Sequence, residues 1–115
     1  MITKDIIIDF FKNLKLKGDF NIKEKLLWGY FFLDKDINKL KKLSKKLEQN
    51  NYTFVDIFEA EKEEAEDPQE YYLHVEKIEH HNVETLDKRN KELYLLAEKN
   101  NIEYYDGFDV GNVTD

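Results

Sequence analysis

The sequence predicts an α+β domain in which two β-α-β units share one antiparallel sheet, with an extra helix in front. Three observations carry that expectation. Apolar runs of strand length alternate with apolar stripes at helical spacing along the chain. The stretch 47–58 is echoed by 97–108: Leu47-Glu48-Gln49-Asn50-Asn51 aligns with Ala97-Glu98-Lys99-Asn100-Asn101, and an alternating run follows each. The chain has 115 residues, 14% of them aromatic, which suits a single domain over 1–115 whose core buries roughly 65% of the unfolded surface.

Residues 3–14 read as a leader helix, with Thr3 as N-cap and Ile7, Phe11 and Leu14 at i, i+4, i+7. A polar link containing Gly18 follows. Residues 26–33, Leu-Leu-Trp-Gly-Tyr-Phe-Phe-Leu, form a nearly continuous apolar run, as expected of an interior strand covered on both faces. Leu27, Phe31 and Leu33 should point one way from it, and Trp28, Tyr30 and Phe32 the other. Residues 36–50 read as a helix, capped by Asp34 or Asp36, with Ile37, Leu40, Leu43 and Leu47 as its apolar stripe. Its other face carries Lys39, Lys41, Lys42, Lys45 and Lys46.

Residues 52–59 read as a strand in which Tyr52, Phe54 and Phe58 alternate with Val55 and Ile57. The acidic stretch 60–68 ends at Pro68 and reads as a hairpin loop, because its carboxylates would repel one another in a packed element. Residues 70–78 are a further strand, 83–99 a second long helix with Val83, Leu86, Leu93 and Ala97 in 3–4 spacing, and 102–108 a last strand. Each Asn-Asn pair should stop a helix, since asparagine tolerates the left-handed conformation a stop needs. The halves 26–59 and 70–109 thus predict a ferredoxin-like split β-α-β sandwich. Right-handed crossovers place both helices on one face of the sheet. The other face stays open unless the leader helix covers it.

Composition excludes several kinds of chemistry. Without cysteine there is no disulfide framework, thiolate metal site or thiol catalysis. A net charge of −7 opposes nonspecific binding to nucleic acid or anionic membranes over most of the surface. Asp5 and Asp9 bracket Ile6-Ile7-Ile8, so no secretory core forms, and no run reaches the ~20 apolar residues of a membrane span. A cytoplasmic location is the expectation. No Gly-x-Ser-x-Gly, phosphate-binding glycine loop or His-Glu-x-x-His occurs, so no catalytic residue and no cofactor is expected. His74, His80 and His81 are poorly spaced for one metal ion: the first and second would lie roughly 20 Å apart on an extended strand. Asp34-Lys35-Asp36-Ile37-Asn38 begins like a calcium loop, but Lys39 replaces the required glycine and Lys45 the closing glutamate.

The order of elements, the apolar leader helix and the closing stretch Tyr105-Asp106-Gly107-Phe108 resemble the RraB family of regulators of ribonuclease E. That family typically ends its last strand in Glu-Tyr-Asp-Gly-Trp. Here Glu103-Tyr104-Tyr105-Asp106-Gly107-Phe108 has one extra tyrosine and Phe for Trp. The preceding helix, Asp87 to Asn100, has the family's Ala-Glu near its end and a short stop. The resemblance covers about residues 26–110. Family members carry a long acidic extension after the motif, whereas this sequence stops at Asp115. The richness in Lys, Asn and Ile looks like the coding bias of an AT-rich bacterium. The resemblance implies a non-enzymatic, protein-binding regulator whose partner is a ribonuclease or another RNA-degradation component.

Three sites follow, each with two readings. Asp106-Gly107 reads first as a turn or bulge, and second as part of a recognition edge formed by Tyr105, Asp106, Gly107 and Phe108. The loop carboxylates Glu61, Glu63, Glu64, Glu66 and Asp67 read first as a solvated loop, and second as a docking patch for a basic partner. Trp28, Tyr30 and Phe32 read first as core beneath the leader helix, and second as an exposed stacking platform for RNA. The missing RNP-type signature and the net charge oppose the RNA reading. The alternative function is a small-ligand-binding or homo-oligomeric regulatory domain of the same topology.

Overall fold

A computed structural model describes residues 1–18 and 20–113. It is an α+β structure with three helices and an open four-stranded antiparallel sheet. The elements run α1 (Lys4–Lys17), β1 (Leu26–Asp34), α2 (Ile37–Gln49), β2 (Thr53–Glu59), β3 (Tyr71–Glu79), α3 (Val83–Lys99) and β4 (Tyr104–Gly111). The strand order is β2-β3-β1-β4, so the most apolar strand, β1, lies inside the sheet with an antiparallel partner on each side.

Local chemistry sets the helix ends. The Thr3 side chain accepts from the Ile6 amide, and Gly18, at φ 68°, returns its N–H to the Leu14 carbonyl. α1 therefore runs one turn beyond the expected stop at residue 14, up to the first residue that takes a left-handed angle without strain. Asp36 caps α2 through the Asn38 amide. Asn82 and Thr85 form a reciprocal capping box on α3. The second asparagine of each Asn-Asn pair is left-handed, Asn51 at φ 69° and Asn101 at φ 57°, so the echo in the sequence is an echo in backbone geometry.

All three helices share one face of the sheet. Trp28, Tyr30 and Phe32 point into that layer, together with Leu73, Val75 and Tyr105 of the flanking strands, and meet the stripes Leu40-Leu43-Leu47 and Leu86-Leu93-Ala97. α1 extends the layer rather than covering the opposite face: Phe10 lies 5.9 Å and Phe11 6.2 Å from Trp28 between ring centroids, and the Ile2 amide donates to the Tyr94 hydroxyl on α3. The expectation that β1 is covered on both faces is corrected accordingly. Leu27, Phe31 and Leu33 are only half-buried, on a face that no helix shields among the described residues.

Two strands depart from simple alternation. In β2 a register shift between Phe54 and Asp56 leaves Phe54 opposite Val75 and Phe58 opposite Tyr72, so the two phenylalanines lie on different faces. In β4 the pairing jumps from Phe31–Gly107 to Phe32–Tyr105, leaving Asp106 as the extra residue of a bulge. Gly107 takes φ 144°, where a side chain would be strained. The bulge lets the strand continue to Gly111. The expected last strand at 102–108 is therefore shifted, and Tyr105-Asp106-Gly107-Phe108 lies inside it rather than closing it. Ile102 is core, and Glu103 is tied down through its amide to the buried Asp34 carboxylate.

Candidate functional site

The sequence-predicted residues separate into interior and surface. Trp28, Tyr30 and Phe32 are all but fully buried, so the stacking-platform reading is corrected and the core reading holds. Tyr105 is buried too and donates to the Asn90 side chain on α3. Phe108 packs edge-on against Phe10 at 4.9 Å. Within the closing stretch only Asp106 is exposed, and it accepts a hydrogen bond from the Tyr72 hydroxyl at 3.1 Å on the uncovered face of the sheet.

The acidic loop has its own scaffold. The Ala60 amide donates to the Glu70 carbonyl, and the Gln69 side-chain amide donates to the carbonyls of Ala60 and Glu70, which closes the base of the hairpin. Asp67 accepts from the Glu64 amide at 3.0 Å. Beside this loop opens a groove of about 440 Å³ lined by Glu61, Glu63, Asp67 and Glu70 from the loop and by Glu103 and Tyr104 from the start of β4. Lys35 and Lys62 are its cations. Burial, then the neighbouring Glu103, pushes the Glu70 carboxyl above the usual range. The loop at the β2–β3 turn and the first residues of β4 thus meet at one end of the sheet, although they are far apart in sequence. Glu64 and Glu66 do not line the groove and are exposed on the loop.

A polar knot within the helix layer was not anticipated. Glu79 sits at the end of β3, and Oε2 accepts from the Tyr30 hydroxyl at 2.6 Å and lies 2.7 Å from His81 Nε2. Arg89 on α3 grips the same carboxylate through Nε at 3.1 Å and Nη2 at 2.6 Å. The Trp28 indole donates to the Glu79 carbonyl at 2.9 Å. Burial acts to raise the Glu79 carboxyl, but the hydrogen bonds from His81, Arg89 and Tyr30 outweigh it and hold it at about 2. Burial, then Glu79, pushes the Tyr30 hydroxyl well up. Every member has a partner, which is how a charged group survives at that depth. One signal for it was available: Arg89 is the single arginine among seventeen lysines, and only its fork can grip a carboxylate at two points.

The three histidines are dispersed. His74 stands on the uncovered face, His80 is exposed, and His81 belongs to the polar knot. Among the described residues no group of three or more His, Cys, Asp or Glu converges as a metal site, and no helix is long and apolar enough to cross a membrane.

The molecule so described is a one-sided α+β module, with a closed helix layer and an acidic, solvent-facing sheet end. In comparison with known families, residues 4–110 match the model of RraB, Regulator of ribonuclease activity B, and the chain belongs to that family. It is thus a member of a family of regulators of ribonuclease activity. No curated protein matches it.

Proposed function

We propose that this chain is a non-enzymatic regulator that restrains a ribonuclease by binding it as a protein, with ribonuclease E-type endonucleases as the first candidate, and so modulates RNA degradation in the bacterial cytoplasm. Family membership supports the regulatory role. The observation that carries the binding reading is the meeting of the acidic loop with the start of β4. Glu61, Glu63 and Asp67 stand there with Glu103 and Tyr104 around one open groove, Glu64 and Glu66 flank it, and Asp106 follows two residues further along β4. A clustered negative surface of this kind speeds encounter with a basic partner and sets its orientation. The order β2-β3-β1-β4 and the β-α-β echo support reading the scaffold as a ferredoxin-like split β-α-β sandwich with an added leader helix.

The experiment is a cleavage assay with a purified ribonuclease E-type enzyme and a defined RNA, repeated with added chain. The proposal expects a saturable fall in cleavage rate that weakens as salt rises. Neutralising the loop in E61Q/E63Q/E64Q/E66Q/D67N should slow association by about tenfold or more. An unchanged cleavage rate at saturating chain would overturn it. A second reading, self-association, is favoured by the exposed edge strand β2 with Phe54, Val55 and Phe58 at about 40% exposure. Sedimentation over a concentration series separates the two readings, since a stable dimer would sediment as such without any ribonuclease.

A further inference from the structure

The sheet face that no helix covers has a chemistry of its own. Its strand pairing sets Phe31 of β1 against His74 of β3, and Phe58 of β2 against Tyr72 of β3. His74 lies stacked on Phe31 at 4.3 Å with an interplanar angle of 16°. Tyr72 stands edge-on to Phe31 at 6.4 Å and tilted against Phe58 at 5.5 Å. These four rings form one row across three strands, half-buried or exposed.

Carboxylates border the row. Asp56 is paired with His74 on one side, Asp106 holds the Tyr72 hydroxyl, and Asp109 lies opposite Gly29 on the other side. Gly29 is required for this arrangement. A Cβ there would lie 2.2 Å from Asp109 Oδ1 and 2.8 Å from His74 Nε2, so both groups lean over the glycine from flanking strands. His74 Nε2 is buried without a hydrogen-bond partner among the described residues. Of the four strands only Lys77 carries a cationic side chain, and it turns to the helix layer, donating to the Asn50 carbonyl and lying 4.3 Å from the Tyr52 ring centroid. The remaining lysines lie on the helices and in the connections between elements, Lys62 on the β2–β3 loop among them. The open sheet face thus carries aromatic rings bordered by carboxylates and no lysine, while the lysine-rich α2 lies in the helix layer.

We infer that this open sheet face is a docking surface for an extended, arginine-bearing segment of the partner protein. A guanidinium is the group that suits both features at once. Its plane stacks on aromatic rings, and its fork bonds carboxylates bidentately. The rings and carboxylates are spread over all four strands, so an extended chain meets more of them than a single point charge can. The lysine-rich α2 disfavours the same segment on the helix side. This inference rests on the reading that the chain acts by binding a protein, and it adds which surface is used and what chemistry the partner brings. It is distinct from the loop groove, which lies at the end of the sheet rather than on its face.

The test titrates isotope-labelled full-length chain with a synthetic oligo-arginine peptide and follows NMR shifts residue by residue. The inference expects shifts at Phe31, Tyr72, Asp106 and Asp109, affinity that falls with salt, and no response to an oligo-glutamate peptide. The near-isosteric variant D56N/D106N/D109N should bind about tenfold more weakly, while the loop variant E61Q/E63Q/E64Q/E66Q/D67N changes affinity by less than about threefold. Shifts confined to the loop, an unchanged affinity in the sheet variant, preferential binding of an RNA oligonucleotide to this face, or its occlusion by a second copy of the chain would each overturn it. If the sheet variant fails to fold, the shift map and salt dependence of the unaltered chain decide the matter. Restrained ribonuclease without peptide binding would sink this surface alone. Peptide binding without any effect on ribonuclease would sink the regulatory reading and leave the surface standing.

Discussion

At the scale of single residues, Glu79 joins the sheet to the helix layer. Its carboxylate gathers Tyr30, His81 and the Nε–Nη2 edge of the Arg89 guanidinium, and it is held at about 2 against a reference of 4.5. A carboxyl depressed on folding contributes stability above its unfolded value and loses it as pH falls towards the folded one. Between pH 4.5 and pH 2 the native chain should therefore lose stability more steeply than Glu79→Gln, measured as urea midpoints across that range. At neutral pH the variant should be the less stable of the two. Arg89→Met leaves the carboxylate buried and under-compensated, and should cost about 3 kcal/mol by chemical denaturation. Arg89→Lys should recover only part of this, since an ammonium cannot reproduce the two-point grip. The sequence offered the lone arginine as a clue but not its partner, because a residue ten positions away becomes a neighbour only when the β3–α3 turn folds back.

At the scale of elements, legibility followed the range of the forces involved. Helix caps, stripes and the two Asn-Asn stops are written locally, and they stand where the sequence puts them: Thr3, Asp36, Asn51 and Asn101 all perform the expected task, and only α1 runs past its expected end to Gly18. Asn51→Ala and Asn101→Ala should each cost about 1 kcal/mol, because alanine resists the left-handed angle. The corresponding glycine variants should stay within a few tenths of the native stability in the same denaturation experiment. What escaped the sequence was decided across strands. The bulges at Val55 and Asp106 appear only when two strands are laid in register, and they are what moves Phe58 to the open face and carries β4 past Phe108. The side chosen by α1 was equally hidden, since its apolar stripe suits either face of a sheet. Its docking is testable through the single tryptophan. Phe10→Ala should shift Trp28 emission to the red and lower stability by about 2 kcal/mol, whereas a helix lying elsewhere would leave the emission unchanged.

At the scale of the whole molecule, the net charge of −7 has a direction. Lysines crowd α2, the β2–β3 loop sets Glu61, Glu63, Glu64, Glu66 and Asp67 against the one Lys62, and the open sheet face carries carboxylates without a lysine. Half of the candidate site was legible: the loop was visible as a run of acids, and Asp106 as part of a short family-like motif. The other half required topology, because only the strand order brings residues 61–67 beside 103 and 104. Trp28, Tyr30 and Phe32 lie in the core, as their first reading had it, and Tyr105 of the proposed recognition edge joins them there, since the side that is buried depends on where the helices land. The measurement that bears most directly on the central claim is the rate of RNA cleavage by a purified ribonuclease E-type enzyme as this chain is added. The rate should fall saturably as the complex forms, and the fall should shrink with salt and in the loop-neutralised variant. A cleavage rate that stays level up to concentrations far above the enzyme's would contradict the account.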